Sequence, residues 1–222
     1  TASSSVAVTS VNDAPAGTDK TLTILEDGSH TFTAADFGFT DAVEGNGFLS
    51  LKVTTLPGAG TLTSNGIAVS AGDFVTKADI DLGRLVYTPA ANANGAGYAS
   101  FTFQVRDDGG TANGGVDLDA SANTITVNVT AVNDAPAGAD KTVTTNEDSA
   151  YTFSAADFGL TDAADGNTLL SVKVTTLPGA GTLTSNGVAV SAGDFVTKSD
   201  IDLGRLVYTP AANANGAGYA SF

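Results

Sequence analysis

Short runs in which apolar and polar residues alternate recur along the chain. The alternation has a period of two, which predicts β-strands with one buried and one exposed face. Clusters of Gly, Asn, Asp and Pro separate the runs and predict turns between them. The runs are KTLTIL, HTFT, LSLKVTT, GTLT, GIAV, RLVYT, ASFTFQV and NTITVNVTAV. About eight short strands in about 120 residues are typical of an immunoglobulin-like β-sandwich.

The same pattern predicts details inside one sandwich. SNG between GTLT and IAV predicts a tight hairpin, because Gly66 can adopt a positive φ. Helical character is limited to two short segments, Ala34–Gly38 and Thr76–Gly83. The predicted core residues are Phe32, Phe37, Leu51, Val53, Leu62, Leu85, Tyr87, Phe101, Phe103 and Val105. We therefore predict an all-β fold of tandem immunoglobulin-like sandwiches with Greek-key topology.

The chain repeats itself at a spacing of 121 residues, and the two copies align without a gap. The heptapeptide VNDAPAG occurs at residues 11–17 and again at residues 132–138. From residue 54 to residue 101 the copies differ at only two positions. Such near-identity indicates recent tandem duplication, so we expect the chain to be a segment of a longer repetitive polypeptide.

The repeat predicts three parts of the chain. Residues 5–10 align with the last strand of the first copy, so we assign residues 1–11 to the last strand of a preceding repeat. Residues 12–132 form a complete repeat. Residues 133–222 form a second repeat that is truncated before its last two strands.

The net charge of the chain is −15, from 24 Asp and Glu against 9 Lys and Arg. Nucleic acids and anionic membranes require clustered basic residues, so neither is expected as a partner. The chain has no Cys, which excludes disulfides and thiolate metal sites. No apolar run reaches the roughly 18 residues of a membrane helix, so we expect no membrane insertion.

The acidic residues concentrate in predicted turns. Loop carboxylates and amides supply the oxygen ligands that calcium prefers, although Asp and Asn are also ordinary turn formers. For a single motif the turn interpretation is favoured, but four such motifs in one domain favour calcium. The motifs contain Glu26, Asp27, Asp41, Glu44, Asp107, Asp108, Asn133 and Asp134, and in the second copy Glu147, Asp148, Asp162 and Asp165.

Four motifs occur in a fixed order along the repeat: ILEDGSHTF, TDAVEGN, FTFQVRDDGG and TITVNVTAVNDAP. Their order and spacing resemble those of the calcium-binding motifs of cadherin repeats. The resemblance covers the whole repeat and is strongest to the bacterial cadherin-like and VCBS-type repeats of giant secreted (RTX-type) adhesins. It implies a secreted protein of the bacterial cell surface that binds calcium (Ca2+) where one repeat joins the next.

The resemblance also implies which residues would bind calcium. The bottom of the first repeat would contribute Glu26 and Asp27, the linker Asn133 and Asp134, and the top of the second repeat Asp162 and Asp165. At the preceding joint the corresponding residues would be Asn12, Asp13, Asp41, Glu44, and Asp107 or Asp108. Bound calcium would lock the joint and turn the array into a rod.

The residue inventory argues against an enzyme. His30 is the only histidine, and the acids repeat on turns where a sandwich offers no deep cleft. We expect a calcium-rigidified spacer or stalk of a surface adhesin or filament, whose partners are neighbouring repeats. The alternative is a calcium-dependent module that binds surface carbohydrate or another cell-surface protein, with Tyr98 and Phe48 as its candidate exposed aromatics.

Two further alternatives stay open at this level. Residues 4–11 have the sequence of a closing strand, so head-to-tail strand donation between chains would build a fibre. A covalent bond from Lys20, Lys52 or Lys77 to an Asn or Asp would also stiffen a rod, with a mass loss of about 17–18 Da.

Overall fold

A computed structural model describes residues 3–222 of the chain. These residues form two compact units. Unit 1 ends at Val132, and unit 2 runs from Asn133 to Phe222.

The segment before the first linker was predicted as the last strand of a preceding repeat. Its first residues, Thr1 and Ala2, lie outside the described part of the chain. Residues 3–11 are exposed and form no strand. Val6 and Val8 are 88% and 91% exposed, although they align with the buried residues of a closing strand.

Unit 1 contains nine strands in two sheets. The strands are β1 (Lys20–Leu25), β2 (His30–Thr31), β3 (Phe48–Val53), β4 (Thr61–Ser64), β5 (Ile67–Ala68), β6 (Phe74–Thr76), β7 (Leu85–Thr88), β8 (Gly95–Asp107) and β9 (Asn123–Thr130). One sheet has the order β1-β9-β8-β3-β6 and the other β2-β7-β4-β5. β1 pairs with β9 in parallel, and the other pairs are antiparallel. Because the chain crosses repeatedly between two sheets, the predicted immunoglobulin-like sandwich is confirmed.

All ten predicted core residues are buried in unit 1. Phe32 lies at the centre, where its ring contacts Phe37 at 5.5 Å and Phe101 at 5.6 Å between centroids. The rings of Phe37 and Phe103 meet edge to face at 5.0 Å. The prediction omitted eight further buried residues, among them three from β9: Ile125, Val127 and Val129.

Two short helices lie at the predicted positions. A 3-10 helix covers Ala34–Phe37 and ends at Gly38, whose φ of 55° a residue with a side chain would adopt with strain. Helix α1 covers Lys77–Asp81, and the hydroxyl of Thr76 accepts a hydrogen bond from the backbone N–H of Asp79 at its start. A second 3-10 helix, of three residues, covers Ala112–Gly114.

The SNG hairpin also forms as predicted. Asn65 and Gly66 join β4 to β5 with φ angles of 51° and 77°, the two positive values of a tight hairpin turn. Strand β6 was not predicted, because three residues are too few to show an alternating pattern. It pairs with β3 and forms one edge of the larger sheet.

Unit 2 contains six strands and one α-helix. They are β10 (Tyr151–Thr152), β11 (Ser171–Lys173), β12 (Thr182–Ser185), β13 (Val188–Ala189), β14 (Phe195–Thr197), α2 (Lys198–Asp202) and β15 (Leu206–Thr209). Its sheets have the orders β10-β15-β12-β13 and β11-β14. The four-stranded sheet of unit 1 is therefore reproduced, and two of the five strands of the larger sheet are present.

Residues 141–146 of unit 2 correspond to β1 but form no strand. In unit 1 the partner of β1 is β9, and no counterpart of β9 is present in this sequence. A strand requires a partner for its backbone N–H and C=O groups, so the missing partner accounts for the difference. The neighbouring core is also more open: Phe222 is 41% exposed and its counterpart Phe101 is 1% exposed.

Candidate functional site at the loop ends of the units

The VNDAPAG heptapeptide folds onto the domain that follows it. In unit 1, Ala16 and Thr40 exchange two backbone hydrogen bonds of 2.8 Å. In unit 2, Ala137 and Thr161 exchange the same pair at 2.8 and 2.7 Å. Backbone pairing therefore joins the linker to each following sandwich.

Asp107 anchors the linker from below. It ends β8 and is fully buried. The side-chain amide of Asn12 donates to its two carboxylate oxygens at 3.1 and 3.3 Å and to the backbone carbonyl of Val116 at 2.8 Å. The backbone N–H of Gly109 donates to the same carboxylate at 2.9 Å. Hydrogen bonds to an ionised carboxylate are charge-assisted and therefore stronger than neutral ones. These bonds hold the linker in place on unit 1.

The Asp41 carboxylate organises the loop that covers this contact. It accepts backbone hydrogen bonds from Val43, Glu44 and Gly45 at 3.2, 3.2 and 3.3 Å, and from Asn46 at 2.9 Å. Desolvation raises the pKa of Asp41, but these four bonds outweigh it and hold the pKa below its usual value. The Asn46 side-chain amide in turn donates to the side-chain oxygen of Asn12.

The remaining acids at this end of unit 1 also bind backbone amides. Glu44 accepts the backbone N–H of Asp13 at 3.1 Å. Asp108 accepts the N–H of Gly47 at 2.7 Å, and its own N–H donates to the carbonyl of Gly47 at 3.0 Å. The structure thus brings together the six residues predicted at this end of the unit: Asn12, Asp13, Asp41, Glu44, Asp107 and Asp108.

Unit 2 repeats this arrangement with fewer contacts. Asp165 accepts the backbone N–H of Asp134 at 2.5 Å, and its own N–H donates to Asp162 at 3.1 Å. The amide of Asn167 donates to the side-chain oxygen of Asn133 at 2.8 Å. The same pairs of positions therefore meet in both units.

Glu26 is buried at the opposite end of unit 1. It accepts the backbone N–H of Val132 at 2.5 Å and the side-chain amide of Asn94 at 3.1 Å. In unit 2, Glu147 is exposed and accepts the amide of Asn215 at 3.0 Å. Glu26 therefore ties the exit of the last strand to the body of the domain.

Asp27 closes a turn beside Glu26. Its φ is 58°, and its carboxylate accepts the backbone N–H of Asn92 at 3.0 Å. Asp148 in unit 2 has a φ of 61° and accepts the N–H of Asn213 at 2.9 Å. The two asparagines of each NANG segment, residues 92–95 and 213–216, are the sequence signal for these contacts.

A buried acid that was not predicted from the sequence is bonded to Lys20, the first residue of β1. Asp36 accepts the Lys20 ammonium at 2.6 Å, and the N–H and hydroxyl of Thr33 at 2.7 and 2.9 Å. Burial raises the pKa of Asp36, but these bonds outweigh it and lower the pKa. His30 stands 3.5 Å from the same carboxylate.

The equivalent pair in unit 2 is Lys141 and Asp157, whose charged atoms are 2.5 Å apart. Burial raises the pKa of Asp157, but hydrogen bonds from Lys141 and Ser154 lower it to about 2. Tyr151 donates to Asp157 at 3.2 Å and is the structural counterpart of His30. The bond to Asp157 raises the pKa of Lys141, because an ammonium is stabilised by a carboxylate partner.

Two more buried acids were missed because they lie in a segment, VDLDA, that has no turn signature. Asp117 forms an ion pair with Arg106 at 2.6 Å. Asp119 accepts the backbone N–H of Gly17 at 2.9 Å and the amide of Asn123 at 2.8 Å. Asp119 thus secures the end of the heptapeptide to the strand region below it.

Comparison with known families assigns the fold. The family model described as Bacterial Ig domain matches residues 12–130, more than half of the chain. The chain belongs to the bacterial Ig domain family. No curated protein and no solved structure matches it. In the described residues 3–222 no helix has the length and apolar character needed to span a membrane.

Bacterial Ig domains are a non-catalytic structural fold family. The match supports a bacterial Ig-like repeat. This is a broader class than the cadherin-like and VCBS-type repeats that the motifs resemble. Its boundaries include the linker residue Asn12 and end at Thr130, the last residue of β9. The matched range thus includes the loops at both ends of the first bacterial Ig domain.

The fit of calcium to this bacterial Ig domain can be judged from its acids. Within residues 3–222, no three His, Asp or Glu side chains are grouped closely enough to hold a metal ion. At both ends of unit 1 the carboxylates accept amide N–H groups, either within their own turn, as Asp41 does, or from the linker and strand ends, as Asp107 and Glu26 do. The loops of a single unit therefore do not by themselves form a complete calcium shell, which requires six to eight oxygens.

The aromatics expected to favour ligand binding are not free surface rings. Phe48 stacks on Phe39 with centroids 5.2 Å apart, and both pack against the core. Tyr98 also packs against the core, and its hydroxyl accepts the backbone N–H of Ala90 at 3.3 Å. Within residues 3–222 the exposed phenylalanines are instead Phe74, Phe195 and Phe222.

Proposed function

We propose that this chain is a stretch of tandem bacterial Ig domains that acts as a structural spacer in an extracellular or surface-attached bacterial protein. The family match over residues 12–130 carries this proposal. Bacterial Ig-like domains typically occur in extracellular or surface proteins. The partners of each domain are its neighbouring repeats, in an adhesin or filament whose target lies elsewhere.

The way the linker is held supports a spacer. The linker segment after Val132 is fixed to the following sandwich by the Ala137–Thr161 pair and by Asp165, which accepts the backbone N–H of Asp134. The exit of the last strand is fixed by Glu26, which accepts the N–H of Val132. Few residues between the two anchors remain free to rotate, which is what a stiff connection requires.

Polypeptides with one, two and four copies of residues 12–132 test the spacer. For stiff joints the maximum dimension from small-angle X-ray scattering grows in proportion to the copy number. For freely jointed domains it grows roughly as the square root of the copy number. A square-root dependence would refute the spacer. Insertion of four Gly residues after Val132 is the flexible control.

We further propose that calcium stiffens this array, as the motif resemblance implies. The loops at the top of unit 1 present carboxylate and amide oxygens, and those at its bottom add Glu26 and Asp27. Each set is an incomplete shell by itself, so the proposal concerns calcium binding by the array rather than by one isolated domain.

The calcium proposal is tested on the 222-residue chain in millimolar calcium and in chelator. Binding predicts a higher melting temperature in calcium, because a ligand of the folded state stabilises it by mass action. Asp162→Asn removes one candidate ligand charge at the joint between residues 26–27 and 133–165 and should abolish the difference, whereas Asp81→Asn on helix α1 should retain it. Equal melting temperatures in both buffers would leave the loop acids as turn formers only.

A further inference from the structure

The basic residues of this acidic chain are almost all neutralised. Of the nine Lys and Arg residues, seven form ion pairs with Asp in the described residues. The two without an ion pair in that part of the chain are Lys52 and Lys173, which occupy equivalent positions in the two units. They are the uncompensated positive charges on a surface of opposite sign.

Each of these lysines lies over an exposed phenylalanine. The Lys52 ammonium is 5.9 Å from the centroid of Phe74, and that of Lys173 is 5.7 Å from the centroid of Phe195. Phe74 is 48% exposed and Phe195 is 66% exposed. The cation–π attraction holds the ammonium beside the ring. An apolar ring and a positive charge are thus presented side by side.

The position of the pair follows from strand register. Lys52 of β3 is directly opposite Phe74 of β6, and Gln104 of β8 is opposite Lys52 on its other side. These three residues form one cross-strand row on the outer face of the sheet, because their neighbours Leu51 and Val75 point into the core. β6 is the sheet edge, so the row is open to solvent at its aromatic end.

A shallow groove runs beside the Phe195 ring. In unit 2 its volume is about 230 Å³, and its walls include Val188, Phe195 and Asp194. Asp194 turns its carboxylate toward its own loop, where it accepts the N–H of Ser191 at 2.7 Å. A ligand anion would therefore be attracted to the Lys173 side of the ring and repelled by the Asp194 carboxylate on the groove wall.

The size of this surface selects among acidic ligands. A stable protein interface buries roughly 800 Å² per partner with about 20–30 residues on each side. One ring, one aliphatic side chain and one ammonium are far fewer. The groove volume fits a single sugar ring, whose apolar C–H face stacks on an aromatic side chain while its substituents remain polar. A sugar that also carries a carboxylate would satisfy the lysine.

We propose that Phe74 with Lys52, and Phe195 with Lys173, form two subsites for the uronate units of an acidic polysaccharide. The ring stacks on the apolar face of the sugar, and the ammonium binds its carboxylate. Each subsite is weak, and tandem repetition of the domain supplies avidity along a polymeric ligand. This activity is additional to the spacer role and does not depend on calcium or on joint stiffness.

Titration of the isotopically labelled 222-residue chain with tetragalacturonate tests the proposal by NMR. Amide shifts are expected in β3, β6, β11 and β14. Two comparison ligands separate the contributions: the methyl ester of the same tetramer lacks the charges, and tetraglutamate has the charges but no sugar ring. Both are expected to bind at least fivefold more weakly. Binding should also weaken with salt, because the charge contact is exposed.

Matched variants assign the binding to these residues. The Lys52→Gln, Lys173→Gln double variant should bind tetragalacturonate about fivefold more weakly. The Lys77→Gln, Lys198→Gln variant has the same net charge and alters equivalent exposed lysines on α1 and α2, so its affinity should be unchanged. Replacement of both phenylalanines by Ala should reduce binding about tenfold.

Several results would overturn the proposal. They are equal binding of the methyl ester or of tetraglutamate, an equal loss in the Lys77→Gln, Lys198→Gln variant, shifts confined to other strands, or no shift at 20-fold molar excess of the ligand. The scattering profile of the lysine variants should match that of the unaltered chain. A change in the profile without loss of binding would concern the spacer and not the subsites.

Discussion

Replacement of Asp107 by Asn removes the negative charge that holds the linker onto unit 1. Asp107 is buried and accepts three hydrogen bonds, two from the Asn12 amide at 3.1 and 3.3 Å and one from Gly109 at 2.9 Å. The Asn side chain introduced at position 107 retains one oxygen acceptor. Its NH2 group, however, is a donor that faces the donor NH2 group of Asn12. Because bonds to a charged partner contribute about 1.5–3 kcal/mol, we expect the free energy of unfolding of unit 1 to fall by about 2 kcal/mol.

The linker side of the contact is tested by Asn12→Ala. This change removes the donor to Asp107 and to the Val116 carbonyl, and should cost about 1.5 kcal/mol. Since the two residues share one contact, the double variant should lose about 1 kcal/mol less than the sum of the single losses. Hydrogen exchange of amides in β8 and β9 reports the stability of unit 1, and calorimetry should show a melting temperature about 7 °C lower for Asp107→Asn.

Asp81→Asn is the control for loss of one charge. Asp81 is exposed and pairs with Lys77 one turn away on α1, so its replacement should change stability by at most about 0.5 kcal/mol. If the Asp107 and Asn12 losses add within about 0.3 kcal/mol, the contact does not couple the linker to the domain. The structural reason given for a stiff connection would then be wrong.

Three further predictions concern the rest of the molecule. The ordinary pKa of an Asp is 3.8, and the pKa of Asp157 is about 2. The ion pair with Lys141 therefore stabilises unit 2 by about 1 kcal/mol above about pH 3.8. This stabilisation is lost as the pH falls through about 2. A carboxyl carbon NMR titration with a midpoint near 3.8 would contradict it. Gly60→Ala places a Cβ 2.6 Å from a backbone carbonyl at a φ of 72° and should cost about 3 kcal/mol in urea unfolding. Gly45→Ala, with the same φ and no atom within 4 Å, should cost about 1 kcal/mol. Phe32→Ala should lower the unfolding free energy of unit 1 by about 3–5 kcal/mol in the same assay, and a loss below 1 kcal/mol would refute its central place in the core.

The candidate site was partly predictable from the sequence. Loop acids such as Asp41 and Glu44 stand out because they follow apolar runs and occur beside Gly and Asn. The sequence also predicted that Asn12 and Asp107 belong to one end of the domain. It could not show that Asp107 is buried and bonded to Asn12, because the two residues are far apart in the chain and meet only after the sheets pack. Calcium binding by these loops stays a prediction.

What the sequence determined is the period of the strands, the turns between them and the repeat itself. These are local properties: the two-residue alternation fixes which side chains of a long strand share a face, and residues such as Gly66 fix where the chain can reverse. Nine of the ten correctly predicted core positions lie in alternating runs, and Phe37 lies in the short helical segment Ala34–Gly38. The match of residues 12–130 to the bacterial Ig domain agrees with that local pattern.

Tertiary structure decided what a short or unpartnered segment becomes. The run KTLTIL is a strand in unit 1, whereas residues 141–146 are not, because only β1 has β9 beside it. In β6 three residues cannot indicate which face is buried. The register with β3 places Val75 opposite Leu51 in the core and turns Phe74 outward beside Lys52. The sequence supplied an aromatic residue, and strand pairing placed it on the surface, since side chains directly opposite each other in a sheet share one face.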